Sequence, residues 1–333
     1  MWAPRIALAL MLSACGGGQG EPDATQPPDA PDPPDAYEPP DAYEPPDAPP
    51  PDAYVPVVDC ENIPPGPFTL TPVGGEVIAS EDLAFDAEGN LVGSDDSTIY
   101  KTPRTGARDV FVANISFRAG MRYAKTGDLI VNNDSNGSLV RVLPDGTKQT
   151  ILSGLSYPNG MEAGIDGYVY VAEHDARRVR RVNPTTGEFT VLTTGIIRNP
   201  NGISFNPDYT ALYIGGFSGI GTIYKLPVDE NGVPGELEEW ATGVGTGALD
   251  GIGVDACGNV YIADYGASHL YRISPDGQTK TVIIDSGIYM PNLQWGSGMG
   301  GWELDRIYIP DGWNHEVYEV DLGVPSKPRA YPP

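Results

Sequence analysis

The sequence predicts an all-β fold, a six-bladed β-propeller with four antiparallel strands per blade, on three observations. One unit recurs six times, its starts at Glu81, Ala119, Asn159, Asn201, Asp250 and Asn292 lying 38, 40, 42, 49 and 42 residues apart. Within each unit, short apolar runs alternate with Gly-, Asn- and Asp-bearing turns, as hairpins require. No segment carries capped apolar residues at helical spacing. Four short strands repeated six times around an axis close into a propeller.

The chain of 333 residues divides unevenly. Residues 1–14 hold one basic residue, Arg5, and an apolar run from Ile6 to Leu12 that is too short to span a bilayer. Leu12-Ser13-Ala14-Cys15 follows and resembles the lipobox of bacterial lipoproteins. That resemblance implies a signal peptide over 1–14, lipidation of Cys15, and a membrane anchored only through its acyl chains. Gly16 stands where an acidic residue would retain such a protein at the inner membrane, which points to the outer membrane or cell surface.

Residues 15–60 are read as a spacer. Seventeen of the 34 prolines lie between Pro22 and Pro67, and Glu21 to Glu61 includes 12 acidic residues with no Lys or Arg. Such a stretch has little to bury and favours extended polyproline geometry, reaching ~120 Å over roughly 40 residues. The body, 61–333, adds 33 acidic and 19 basic residues after Glu61 to a total net charge of −25. That charge repels nucleic acid and anionic lipid surfaces, so the expected partner is a small molecule met by a monomer. Cys60 and Cys257 remain in the exported chain. An exported location permits a disulfide between them, and two free buried thiols are the alternative.

Within the body the inner turns include Asp86–Asn90, Gly164–Gly167 and Asp255–Asn259, and Leu129–Val131, Tyr168–Val171, Val260–Ile262 and Ile307–Ile309 are among the strands that follow them. The last unit ends at Glu316–Val320 with no fourth strand after it, and Phe68–Val73, ahead of the first unit, is expected to supply it. Closure of this kind removes an exposed edge.

The residue opening each unit heads the innermost strand, so all six converge at the axis on one face. The loops after each second strand rim the same opening, among them Asp95-Asp96, Asn133-Asp134, Glu173-His174, Gly216-Phe217, Asp264-Tyr265 and Asp311-Gly312-Trp313. Two carboxylates and up to three amides about one axis are costly to bury without a cation. Every donor is a hard oxygen, which favours Ca²⁺, with its about six to eight flexible oxygen ligands, over Zn²⁺. Mg²⁺ fits less well because it demands tighter octahedral spacing.

At these residues the chain resembles the SMP-30/gluconolactonase/LRE-like family, relatives of the paraoxonases and diisopropyl fluorophosphatase. The likeness covers most of 73–324 and is strongest over Pro200–Asp208 and Asp250–Asp255. It implies that Glu81, Asn201 and Asp250 bind the metal and that Asn159 ligates it or contacts substrate. The chain departs from the family pattern at Tyr157, where sugar lactonases carry Arg, and at Ala119, where paraoxonases carry His. Gly160 and Gly251 lack ligands for a second, deeper calcium.

The implied chemistry is Ca²⁺-assisted hydrolysis of a lactone or related ester. Asp250 orients or deprotonates the attacking water, with His174 as a second candidate base. Asn292, Asp264, Tyr265, Phe217 and Trp313 form the expected substrate rim. No Gly-x-Ser-x-Gly elbow supports a serine hydrolase. The competing readings are a surface-displayed propeller that binds a sugar, small molecule or protein without catalysis, and a strictosidine-synthase-like propeller that does not rely on this metal set.

Overall fold

The computed structural model describes residues 58–95, 97–115, 119–133 and 136–331. The signal peptide, Cys15, most of the spacer and the rim residues Asp96 and Asp134 lie outside them.

The described strands form six four-stranded antiparallel sheets. Blade 3 shows the pattern: Pro158–Ala163, Val169–Glu173, Arg178–Val182 and Phe189–Thr194 pair in chain order. Its first turn needs Gly167, whose φ of 86° suits a residue without a Cβ. The second strands are the most buried. Val260–Asp264 in blade 5 is buried at all five positions, because it has a sheet neighbour on each side and a blade against each face.

Blade 6 is completed from the other end of the chain. Its order is Gln294–Trp295, Arg306–Pro310, Val317–Asp321 and then Thr71–Pro72, with Thr71 opposite Glu319. The expected closing segment, Phe68–Val73, thus supplies the outer strand. Pairing is confined to two residues, and the flanking Val73 N donates to Val317 O at 2.8 Å.

The core is distributed among the blade interfaces. Six apolar clusters are formed by the described residues, and each joins two neighbouring blades. The cluster closing the ring packs Leu83, Phe85 and Leu91 of blade 1 against Trp302, Tyr308 and Val317 of blade 6. A blade of this kind cannot bury both faces alone, so ring closure and core formation are one event.

Cys60 and Cys257 form a disulfide, with Cα atoms 5.6 Å apart and a sequence separation of 197. It ties the entering chain to the inner turn of blade 5. Val58, Ile63, Phe68 and Leu70 pack with Cys257 against the cluster between blades 5 and 6, and Arg272 bonds the carbonyl of Pro64 at 2.7 Å. Val58 and Cys60, assigned to the spacer from sequence, belong to the packed body.

Replacing both cysteines by serine should destabilise the folded chain by about 2–5 kcal/mol, since the closed loop is long. Denaturant melts of the double variant and of the reduced wild type should agree; an unchanged midpoint would show that the disulfide does not hold the body together.

Candidate functional site

The six opening residues come together because the first strands approach closely at the axis. A glycine follows four of them, and a Cβ on any of the four would overlap the adjoining blade. On Gly160 it would strike the carbonyl oxygen of Asn201, on Gly202 that of Asp250, on Gly120 that of Asn159, and on Gly251 the backbone of Asn292. Gly120 N donates to Asn159 O at 3.1 Å and Gly251 N to Pro291 O at 2.8 Å. Between blades 1 and 2 the link is a side chain: buried Asp82 accepts from Met121 N at 2.9 Å and pairs with Arg122 at 2.5 Å. Between blades 6 and 1, Gly312 lies against Tyr289 and the Ser80 carbonyl, and the Tyr289 hydroxyl donates to Glu81 Oε1 at 3.5 Å.

Asn159, Asn201 and Asp250 are buried at this hub, with Glu81 half-buried beside them. Burial raises the Asp250 carboxyl to about 8; a hydrogen bond with Asn201 opposes the shift, the Asp82 charge adds to it, and a bond with Tyr289 opposes it again. Asn201 Oδ1 is buried with no hydrogen-bond partner. An orphaned amide oxygen beside a carboxyl driven toward its neutral form is a donor pair that a hard cation would satisfy. Among the described residues no group of three or more His, Cys, Asp or Glu is placed to hold a metal, so the hub set is two carboxylates with amides and suits oxygen-seeking ions.

Two residues join this neighbourhood that the repeat pattern did not single out. Tyr289 precedes the sixth unit by three residues and reaches both Glu81 and Asp250. Asn132, in the second strand of blade 2, donates to the Asn159 carbonyl, and its Oδ1 is also buried without a partner. It stands in the blade whose opening residue, Ala119, brings no polar atom.

Asp264, expected at the substrate rim, turns its carboxylate into the loop ahead of blade 5. It is fully buried, its carboxylate accepting from Thr246 N at 2.7 Å, Thr246 Oγ1 at 2.5 Å and Gly266 N at 3.2 Å. It fixes the loop leading into blade 5. Glu173 does the same in blade 3, binding Ser156 N at 2.8 Å and pairing with Arg178 and Arg180. Asn292 Oδ1 turns back onto Leu293 N at 2.9 Å.

The remaining rim residues form a chain of rings. Tyr157 meets His174 at 5.1 Å between centroids, His174 meets Phe217 at 5.8 Å, and Phe217 meets Tyr265 at 5.7 Å. Tyr265 then meets Tyr289 at 4.5 Å and Tyr289 meets Trp313 at 6.0 Å. His174 Nδ1 lies 2.7 Å from Asp175 Oδ1 and 3.3 Å from the Asn199 amide. Tyr157 and Asn199, each two residues before a hub Asn, both have left-handed backbones, with φ of 52° and 50°.

A separate cavity of about 120 Å³ lies further along the first strands, among Arg122, Glu162, Tyr209 and the tail residues 326–331. The tail is bound there by Lys327 N to Val254 O at 2.9 Å and Tyr209 Oη to Pro328 O at 2.9 Å. Lys327 Nζ lies 3.1 Å from Tyr209 Oη and 3.6 Å from Glu162. None of the hub oxygens lines this cavity.

Comparison with known proteins gives a consistent picture. Residues 171–310 match the model of the SMP-30/Gluconolactonase/LRE-like region. A 6-deoxy-6-sulfogluconolactonase of Pseudomonas putida is 33% identical over 123 residues, spanning 35% of this chain and 40% of that relative. A gluconolactonase of Zymomonas mobilis is 22% identical over 287 residues, spanning 59% of this chain and 80% of that protein. Among solved structures, a calcium-binding regucalcin of Agrobacterium tumefaciens aligns with a TM-score of 0.63 at 18% identity, covering 80% of this chain and 97% of that one.

The raised Asp250 carboxyl has a consequence for metal-free stability. From pH 4 to about 8 the unfolded chain releases this proton while the folded chain retains it. The unfolded state then binds fewer protons, so stability falls as pH rises through that window. Melts of chelated protein should show this decline, and Asp250→Asn should flatten it; equal slopes in both proteins would remove the burial argument.

Proposed function

From a chain that carries an SMP-30/Gluconolactonase/LRE-like region over 171–310, we propose a calcium-dependent hydrolase that opens a lactone or related ester at the propeller hub. The observation that carries the reading is the Asn201–Asp250 pair, an orphaned amide oxygen against a buried carboxyl. The names of the two relatives, both lactonases, support the reaction class, and the regucalcin likeness is one of fold.

Glu81, Asn159, Asn201 and Asp250 would hold the ion. A calcium ion bound there supplies a Lewis acid that polarises the ester carbonyl. The chain's own contribution is to exclude water from the hub and keep the oxygens preorganised, so that no reorganisation is needed as charge develops. With a cation bound beside it, Asp250 would be held ionised and would orient the attacking water and take its proton. Tyr289, bonded to Glu81 and Asp250, keeps both carboxylates turned to the axis. His174 is committed to Asp175 and Asn199 and serves as part of the wall. Tyr157 in place of a cationic side chain argues against an aldonolactone as the preferred substrate.

In this reading the chain is exported, lipidated at Cys15 and displayed as a monomer on its acidic spacer, where it meets a small-molecule substrate. An exported site accords with the Cys60–Cys257 disulfide.

The test is hydrolysis of a panel of lactones, aryl esters and phosphotriesters by the mature disulfide-bonded chain. Chelation should abolish turnover, calcium should restore it, and Asp250→Ala should lower kcat by about 10²-fold or more. Turnover that survives both treatments overturns the mechanism. Tight calcium binding without turnover of any panel member would assign the chain to the binding-module alternative.

A further inference from the structure

The hub is faced by a continuous aromatic wall that no single blade explains. Five successive ring contacts of 4.5–6.0 Å link Tyr157, His174, Phe217, Tyr265, Tyr289 and Trp313, residues contributed by blades 3 to 6. The wall is wet where the core rings are dry: Trp313 is 70% exposed, Tyr157 41% and Tyr265 39%. Leaving that much ring surface in water forgoes about 25 cal/mol for each Å² that a ligand would cover. One member, Tyr289, bonds Glu81, so the wall reaches the hub oxygens.

We propose that this wall sets the substrate class: a lactone or ester carrying an aromatic or fused apolar ring, which lies against the rings while its carbonyl reaches the hub. The proposal rests on the hydrolytic reading of that hub. A flat apolar ring recovers the exposed π surface through offset and edge-to-face contacts. A polyhydroxylated lactone would need a polar partner for each hydroxyl it desolvates. Phe217 has no polar side-chain atom, His174 Nδ1 is directed at Asp175 and Asn199, and the Tyr289 hydroxyl is directed at Glu81, which leaves the wall only the Tyr157 and Tyr265 hydroxyls, His174 Nε2 and the Trp313 indole N–H as ring-edge polar atoms.

The experiment compares a benzo-fused δ-lactone with glucono-δ-lactone in the calcium-loaded mature chain. In parallel, calorimetry follows binding of a benzo-fused cyclic ketone, which has no bond to hydrolyse. Wild type should show kcat/KM at least ~10-fold higher for the benzo-fused lactone, the discrimination expected of one or two aromatic contacts. Phe217→Ala should cut that preference and weaken ketone binding by ~10-fold, with Phe217→Leu intermediate because it keeps bulk and loses the ring; unchanged melting temperatures separate these effects from misfolding. Equal or faster turnover of glucono-δ-lactone overturns the proposal and leaves the hydrolase intact. If neither these lactones nor any other member of the ester panel turns over, the hydrolytic reading fails. The wall then stands only if the ketone binds and Phe217→Ala releases it, and it falls if the ketone does not bind.

Discussion

The close approach of the first strands at the axis is the constraint from which the rest follows. Four glycines, at 120, 160, 202 and 251, lie where a single added carbon would meet the next blade. With the strands drawn in, side chains from chain positions as distant as 81 and 250 meet around Tyr289. The same tightness buries Asn201 and Asp250, and burial pushes the Asp250 carboxyl upward while leaving Asn201 Oδ1 unmatched. Fold and electrostatics are here one fact, since a looser ring would hydrate these groups and remove the demand for a cation.

Much of this was legible because a repeat amplifies weak signals. Pro-Asn-Gly by itself reads as a turn, but its recurrence at one phase placed Asn159 and Asn201 at the axis. The missing fourth strand of the last unit likewise located Thr71–Pro72 as the closing strand, since an unpaired edge must be met by something. What the repeat could not carry were features without a phase. Tyr289 sits in a connection ahead of its unit, and Asn132 is one residue of a second strand. The aromatic wall exists only between blades. Asp264 shared its phase with genuine rim residues but differs in direction, and only the position of Thr246 distinguishes a loop anchor from a ligand contact. Pairing of Cys60 with Cys257 depended on how the entering segment crosses blade 5, which no spacing records.

The two ends of the central channel are built on opposite principles. At the hub, carboxylates and amides crowd together. Further along the first strands, Arg122, Lys327 and Arg329 line one cavity with Glu162, and the tail carries two of these cations. Burial lowers Arg329 to about 10 and pulls Lys327 down as well. The tail residues pack against first strands of several blades, so the end of the chain braces the ring from below while the closing strand completes it at the side.

The position of the disulfide also decides how the molecule would bear load. Cys60 precedes the closing strand by eleven residues, and its partner lies in a turn of blade 5 rather than in blade 6, which that strand completes. A pull on the N-terminal tail therefore enters through a covalent bond into an interior blade and bypasses the two-residue pairing that shuts the ring. Tension that would otherwise unzip the seam is diverted away from it.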